Sequence, residues 1–349
     1  MPRLVIFTDL DGSLLDADHY SFDAAQEALA TIHARGDALV LVSSKTRSEM
    51  EPLRLRLGNR HPFIVENGGA LFCPAGYFPA PLDHSTRRGA YEVVEIGVPY
   101  PVLRKALPAI GQALECRLVG AGDLSVEEFA QLTGLSPAEA VLAKEREYDE
   151  PFLIPHGLIP WSRLAQATEE RGLRCTRGGR FYHLMGANDK GIAARRLIRQ
   201  YRGCASAEGQ GLVTIGVGDS LNDLPLLEAV DYPILVQKPD RSYDPDVDLP
   251  SLIRAEGVAA HGLQHGLRVL ARDDGDQLAL VSHVKRVNAQ HLAGGHHRRA
   301  HGDRRLLDGE ARPRLPGQLV EHSRQPAARG VAQAVDVARH SQHVSDQRV

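Results

Sequence analysis

Two uninterrupted runs of apolar residues, each followed by acidic residues, are the clearest pattern in this chain. The first run, residues 4–7, leads into Asp9 and Asp11, and the second, residues 212–217, leads into Asp219. Uninterrupted apolar runs are typical of parallel strands that other elements cover on both faces. The pattern therefore predicts two buried strands whose carboxyl ends carry acidic side chains.

The two acidic strand ends together predict a metal site. Asp9 and Asp11 occupy alternate positions, so their side chains can face the same pocket. Asp is also an ordinary turn residue, and a simple strand-to-turn junction is the alternative for this segment alone. The second strand end, where Asn222 and Asp223 follow Asp219 within one turn, favours a functional site. Four carboxylates and an amide supply the hard oxygen ligands that Mg²⁺ prefers, at the sheet edge where open α/β folds place their sites.

Two further segments would add cations and hydroxyls to this site. A third apolar run, residues 38–42, leads into Ser43, Ser44 and Lys45. Lys190 stands at the predicted start of a helix, where a cation opposes the helix dipole and destabilises the helix unless an anion binds it. A solvated surface lysine is the alternative interpretation of Lys190.

In chain order, these motifs resemble the four motifs of the haloacid dehalogenase superfamily of phosphatases. They are Asp-x-Asp-Gly-Ser, a Ser after the second strand, an isolated Lys, and Gly-Asp-Ser-Leu-Asn-Asp. Residues 43–46, 65–70, 178–184 and 236–240 are similar to the mannosyl-3-phosphoglycerate phosphatase family within that superfamily. The resemblance implies hydrolysis of mannosyl-3-phosphoglycerate to mannosylglycerate and phosphate. A capped phosphatase for sucrose phosphate or glucosyl-3-phosphoglycerate, and a non-catalytic phosphate-ester binding protein, are the alternatives.

The resemblance also implies a role for each motif residue. Asp9 matches the nucleophile that forms an aspartyl-phosphate, and Asp11 matches the general acid and base. Ser43 and Lys190 match the residues that hold the phosphoryl oxygens. Asp223 is either a metal ligand or a partner of Lys190. The implied Mg²⁺ ligands are Asp9, the backbone carbonyl of Asp11, Asp219, Asn222 and Asp223.

The substrate would contact polar residues from several loops. An arginine fork suits a carboxylate that lies beside a phosphate, although arginines that flank a tight turn can simply be solvated. Polar residues next to a pair of glycines can bind sugar hydroxyls or merely fix the turn. The predicted substrate-binding residues are Ser44, Lys45, Glu66, Asn67, Gly68, Arg177, Arg180 and His183.

The chain-wide pattern predicts an α/β fold, a Rossmann-like parallel sheet core with an inserted α/β cap domain. Strands and helices alternate in the first segment of the chain, before about residue 83, which indicates a parallel sheet. We predict a core of residues 1–82 and 184–271 and a cap domain of residues 83–183 that separates Ser43 from Lys190. As the resemblance implies, the cap would close over the site and supply substrate contacts.

The last segment, residues 272–349, differs from everything before it. No aromatic residue follows Tyr243, and the segment is rich in Arg, His, Gln, Gly and Ala. Such a composition cannot bury enough apolar surface to offset the entropy cost of ordering the chain. We predict a disordered extension or the product of a shifted reading frame.

Composition excludes several other classes of protein. A formal net charge of −3 offers no basic surface for nucleic acid, and no window reaches the roughly eighteen apolar residues of a membrane span. The four cysteines form no Cys-x-x-Cys pair, which favours free thiols and a cytoplasmic protein. A phosphate loop and a complete dinucleotide fingerprint are both missing. The expected partner is a small phosphorylated sugar, and the oligomeric state stays open.

Overall fold

The computed structural model describes residues 4–16, 21–155, 159–178 and 181–272. Within these ranges the strands form one sheet of nine strands and one of four. The strands are β1 (Leu4–Thr8), β2 (Ala38–Val42), β3 (Phe63–Val65), β4 (Ala70–Pro74), β5 (Thr86–Arg88), β6 (Tyr91–Glu95), β7 (Val119–Gly120), β8 (Asp149–Leu153), β9 (Arg174–Gly178), β10 (Phe181–Met185), β11 (Val213–Gly218), β12 (Tyr232–Gln237) and β13 (Ile253–Val258). The helices are α1 (Gln26–Arg35), α2 (Arg47–Arg56), α3 (Tyr100–Ala113), α4 (Val126–Thr133), α5 (Pro137–Lys144), α6 (Trp161–Glu169), α7 (Lys190–Ala207), α8 (Leu224–Leu227) and α9 (Ala260–Arg272). The extension predicted beyond α9 lies outside the described residues.

The larger sheet has a parallel core, as the apolar runs predict. Its order is β13-β12-β11-β1-β2-β3-β4-β6-β5. The six strands from β13 to β3 are parallel, and the last three add to the sheet as antiparallel strands. Every residue of β1, β2 and β11 is buried, because helices cover both faces of these strands. The prediction of a Rossmann-like α/β core is confirmed.

Helix boundaries follow the local chemistry of the sequence. Thr46 caps α2 through a reciprocal box with Glu49, and Gly36 ends α1 in the left-handed conformation with a φ of 67°. Asp189 caps α7 by accepting a hydrogen bond from the backbone N–H of Ile192 at 2.7 Å. Lys190 is therefore the first residue of α7, as predicted.

The second sheet, of order β7-β8-β10-β9, is antiparallel and lies in the same part of the chain as α3 to α6. We call residues 100–185 the cap. The sequence-based boundary at residue 83 differs from this arrangement, because β5 and β6 pair into the larger sheet through β4. Strand β6 is a short run with both exposed and buried positions, and such a pattern does not specify which sheet will accept it.

Among the helices of the described ranges, none combines the length and the apolar character that crossing a bilayer would require.

His61 is half-buried in the larger-sheet domain, where its ring contacts a tyrosine hydroxyl. Its Nδ1 lies 2.7 Å from the Tyr77 hydroxyl, which lies 2.8 Å from the Tyr201 hydroxyl. Burial, together with the charge of Arg54, lowers the pKa of His61 from 6.5 to about 4. The folded protein therefore contains a neutral imidazole at pH values at which the unfolded chain binds a proton.

We expect His61 to make the fold sensitive to mild acid. Because its pKa is lower in the folded state, the protein should lose stability as the pH falls below 6.5. Between pH 7 and pH 5 the wild type should lose about 1–2 kcal/mol more than His61→Gln, as measured by urea unfolding. His261→Gln, at an exposed site, is the control and should follow the wild type. Identical pH profiles for the wild type and His61→Gln would contradict this account.

Candidate active site

The carboxyl ends of two neighbouring strands, β1 and β11, bring the acidic residues together, and β2 ends beside them. Thr8 pairs with Val217 on one side and with Leu41 on the other, so β11, β1 and β2 end at the same edge. Asp9 follows β1 directly, and its backbone N–H donates to the Val217 carbonyl at 2.9 Å. Carboxylate oxygens of Asp9, Asp219 and Asp223 all lie within 4.8 Å of one another. Residues more than 200 positions apart thus form one acidic cluster.

Lys190 lies inside this cluster. Its Nζ donates to Oδ1 of Asp9 and to Oδ1 of Asp223, at 2.6 Å in both cases. The residue is 1% exposed, so it is no solvated surface lysine. The other oxygen of Asp223 accepts hydrogen bonds from the backbone N–H groups of Asp219 and Ser220, at 3.1 and 3.3 Å. Asp223 therefore holds both Lys190 and the turn that carries Asp219.

The cluster carries more negative than positive charge. Burial and the neighbouring carboxylates raise the pKa of Asp9 well above its usual value, although Lys190 opposes this shift. Burial and the charge of Asp223 raise the pKa of Asp219 to about 6. Burial alone would lower the pKa of Lys190, but the charges of Asp223 and Asp9 outweigh burial and raise it. One lysine cannot balance three carboxylates, and a further cation would relieve their repulsion.

The donor set fits Mg²⁺, a hard cation that prefers oxygen ligands. A Cβ on Gly12 would lie 2.7 Å from Oδ2 of Asp219, so only glycine leaves that carboxylate its space. The side chain of Asn222 is near, but its amide oxygen accepts from the Ser220 hydroxyl at 2.7 Å. The Asp11 side chain instead pairs with Lys45, at 2.9 Å. The carboxylates that could hold the metal are Asp9, Asp219 and Asp223.

A cleft of about 630 Å³ between the larger sheet and the cap opens onto this cluster. Of the predicted substrate-binding residues, it is lined by Ser44, Lys45, Asn67, Arg177 and His183. Ser43, at the end of β2, is buried behind that wall, and its Oγ accepts from the backbone N–H of Lys45 at 3.2 Å. Ser43 thereby shapes the loop of Ser44 and Lys45. Arg180 lies outside the described residues.

Glu66 and Gly68 occupy structural positions rather than the cleft wall. Glu66 is fully buried, and its carboxylate accepts from the backbone N–H groups of Glu147 and Tyr148, at 2.9 and 2.8 Å. A Cβ on Gly68 would lie 2.1 Å from the Asp189 carbonyl oxygen, so glycine is needed where this turn meets the start of α7. The expectation that Glu66 binds sugar hydroxyls gives way to the alternative, in which it fixes the turn and, with it, the cap.

Two cationic residues of the cleft wall were missed at the level of sequence. Arg146 of the cap donates to the carbonyl oxygens of Ala143 and Ser44, at 2.8 Å in both cases. Lys238, after β12, pairs with Asp244 at 2.9 Å. The motif around Lys238 formed part of the family resemblance, and that signal could have identified it. Arg146 lies in a run of charged residues typical of a solvated loop, and nothing in the pattern indicates its burial.

Comparisons with known proteins agree with this geometry. Residues 6–74 match the family model of the haloacid dehalogenase-like hydrolases. The chain is 43% identical over 263 residues to the glucosyl-3-phosphoglycerate/mannosyl-3-phosphoglycerate phosphatase of Methanococcoides burtonii, which covers 75% of this chain and 95% of that protein. It is 36% identical over 234 residues to the mannosyl-3-phosphoglycerate phosphatase of Pyrococcus furiosus, which covers 66% of this chain and 90% of that protein.

Solved structures show the same fold at low identity. A phosphatase of the haloalkanoate (HAD) enzyme superfamily from Bacteroides thetaiotaomicron gives a TM-score of 0.51 at 14% identity, with 77% of this chain and 94% of that chain covered. The sucrose-phosphatase of a Synechocystis species gives a TM-score of 0.50 at 16% identity, with 78% and 99% covered. At these identities the structural likeness concerns the fold alone.

We expect removal of Lys190 to destabilise the protein in the absence of divalent cations. Lys190→Met leaves two buried carboxylates without their cation, and breaking a buried pair costs about 3–5 kcal/mol. Added Mg²⁺ should restore part of this loss, because it supplies positive charge to the same cluster. Thermal unfolding with and without Mg²⁺ measures both effects. As the control, Lys238→Met breaks the partly exposed ion pair with Asp244 and should lower the free energy of unfolding by less than about 1 kcal/mol. Equal losses in the two variants would contradict the assignment.

Proposed function

We propose that this chain, a member of the haloacid dehalogenase-like hydrolases, is a Mg²⁺-dependent phosphatase that hydrolyses mannosyl-3-phosphoglycerate to mannosylglycerate and phosphate. The observation that carries the proposal is the buried contact of Asp9 with Lys190 at the floor of a cleft with cationic walls. The relatives named above support the substrate, since two-thirds or more of each relative's length is matched. The name of the first relative makes glucosyl-3-phosphoglycerate the second candidate substrate.

In the proposed reaction, Asp9 is the nucleophile. Its carboxylate attacks phosphorus, the bond from phosphorus to the glycerate oxygen breaks, and an aspartyl-phosphate forms. Water then attacks this intermediate, which releases phosphate and restores Asp9. Lys190, 2.6 Å from Asp9, orients the carboxylate and offsets the charge that develops on the phosphoryl oxygens. When bound by Asp9, Asp219 and Asp223, Mg²⁺ would reduce the repulsion between the carboxylate and the anionic phosphate.

Asp11 is the proposed general acid and base. It follows Asp9 by two residues and lines the same cleft. Among the described residues its Oδ1 is buried and has no hydrogen-bond partner, while Oδ2 pairs with Lys45. A free, buried carboxyl oxygen is suited to carry a proton to the departing glycerate oxygen and later to accept one from water.

The cleft also suits the rest of the substrate. A glycosyl phosphoglycerate has a carboxylate beside its phosphate, and the walls contribute the cations Lys45, Arg146, Arg177 and Lys238. A volume of about 630 Å³ lies within the usual range of small-molecule sites. The four cysteines are unpaired in the structure, and we place the enzyme in the reducing cytoplasm, where its phosphorylated sugar substrate would be made.

A panel of phosphate esters tests the proposed substrate and metal. Phosphate release should be most efficient, by kcat/KM, for mannosyl- or glucosyl-3-phosphoglycerate, and lower for sucrose phosphate. Excess EDTA should abolish turnover and added Mg²⁺ should restore it, because the carboxylate cluster needs a cation to approach an anionic ester. A preference for sucrose phosphate would contradict the substrate, and full activity in EDTA would contradict the metal.

Substitution of the two acids tests the mechanism. Asp9→Asn removes the nucleophile and should reduce kcat by a factor on the order of 10³ or more. Asp11→Asn should reduce kcat by about 10²–10⁴-fold, the usual contribution of general acid-base catalysis. Asp248→Asn, at a side chain that is 83% exposed, is the control and should keep full activity. An active Asp9→Asn enzyme would overturn the proposed mechanism.

A further inference from the structure

Asp149, the first residue of β8, is a buried carboxylate that the proposed mechanism does not use. It has no solvent exposure. Its Oδ2 accepts from Nδ1 of His183 at 2.8 Å and from Nδ2 of Asn67 at 3.3 Å, and Nη1 of Arg146 lies 3.8 Å away. These three neighbours all line the cleft, whereas Asp149 itself does not. The carboxylate therefore lies directly behind a polar part of the cleft wall.

The chemistry of this carboxylate fixes the orientation of its neighbours. A carboxylate accepts hydrogen bonds, so Nδ1 of His183 carries the proton of this contact, and Nε2 is the ring nitrogen that remains for a ligand. Asn67 donates its amide N–H to Asp149. Arg146 is held by two backbone carbonyls and by the charge of Asp149.

The stability of the fold does not explain why the Asp149 carboxylate is buried. Taking a carboxylate out of water is costly, and a well-packed apolar group is often as stable or more so. Within the described residues, Oδ1 of Asp149 is buried and has no hydrogen-bond partner. A group that is costly to bury and incompletely satisfied, and that contacts three side chains of one cleft, indicates selection for the geometry of that cleft.

We propose that Asp149 is a positioning residue that holds Asn67, Arg146 and His183 as one recognition unit for the part of the substrate that is not phosphate. This inference rests on the proposed function. The guanidinium of Arg146, which lines the cleft, supplies positive charge for the glycerate carboxylate, and Nε2 of His183 forms a hydrogen bond with a sugar hydroxyl. Asn67 belongs to the larger-sheet domain and the other two to the cap, so the unit aligns the two walls of the cleft around one ligand.

The neighbouring residue supplies a matched control. Glu150 is also fully buried, but successive side chains of a strand point to opposite faces. Its Oε1 accepts from Nη1 of Arg104 at 2.8 Å and from the backbone N–H of Gly122 at 3.2 Å. Neither Glu150 nor these two partners line the cleft. Glu150→Gln and Asp149→Asn thus neutralise adjacent buried carboxylates, only one of which contacts the cleft wall.

The experiment compares two substrates in these variants. One substrate is the better of mannosyl- and glucosyl-3-phosphoglycerate, and the other is para-nitrophenyl phosphate, which has neither a carboxylate nor a sugar. Asp149→Asn should reduce kcat/KM for the glycosyl phosphoglycerate by about tenfold or more, mainly by raising KM. For para-nitrophenyl phosphate, the same variant should reduce kcat/KM by less than about threefold. Glu150→Gln should change the ratio of the two kcat/KM values by less than about threefold. Equal losses on both substrates in Asp149→Asn, or the same change of ratio in Glu150→Gln, would overturn the inference.

Two further variants keep the test decisive if Asp149→Asn fails to fold, which thermal unfolding would show. Arg146→Lys keeps the charge but removes the fork, and His183→Gln removes the ring nitrogen. Both variants should lower kcat/KM for the glycosyl phosphoglycerate relative to kcat/KM for para-nitrophenyl phosphate, as Asp149→Asn should. If neither variant changes this ratio, the inference is overturned. The wild type tests the proposed function separately. Turnover of para-nitrophenyl phosphate without turnover of either glycosyl phosphoglycerate would refute the proposed substrate, and the inference with it.

Discussion

The site depends on one buried cation, Lys190, which lies between Asp9 and Asp223. Burying these charges is costly, and their attraction offsets the cost only with close hydrogen bonds such as the two of 2.6 Å observed here. This requirement constrains the rest of the molecule, because β1 and β11 must end side by side and α7 must begin at the same edge. A lysine at the first position of a helix opposes the helix dipole, and the two carboxylates outweigh that penalty. With Asp219 nearby, the cluster remains negative overall, and this residual charge would favour the binding of a divalent cation.

The second constraint is the placement of the cap over that edge. The Glu66 carboxylate accepts hydrogen bonds from the backbone N–H groups of Glu147 and Tyr148. The Thr46 hydroxyl donates a hydrogen bond to the Leu142 carbonyl at 2.8 Å. The cap is thus tied to the larger-sheet domain through backbone groups, whose positions vary less than those of side chains. Glu66 has no solvent exposure at this contact, and its burial raises its pKa to about 7. Because Arg146 lies in the same cap segment, residues 142–148, these contacts also position Arg146 in the wall of the cleft.

The sequence predicted the parts of this architecture that depend on local patterns. Apolar runs followed by acids located β1 and β11, and the predicted helix start at Lys190 located α7, because these signals extend over a few residues. The predicted boundary at residue 83 places β5 and β6 in the cap, whereas both strands pair into the larger sheet through β4, and no local pattern encodes that pairing. Glu66 was expected to contact substrate, since its glycine-rich surroundings are typical of both binding loops and tight turns. Arg146 and Asp149 were missed, because their burial follows from the contact between cap and core.

Asp149 and Glu150 show why specificity is harder to predict from sequence than chemistry. Both are buried acids in a charged run that resembles a solvated loop, but they lie on opposite faces of β8. That face is set by the antiparallel register with β10, where Pro151 pairs with His183 and Glu150 with Leu184. A shift of one residue would exchange the two carboxylates and leave His183 without its acceptor. The acidic edge of the sheet is specified by strand ends that each carry their own signal, whereas the proposed recognition unit depends on a strand register. Under the proposed function, substrate preference would therefore depend on the cap, and the phosphoryl chemistry would depend on the strand ends.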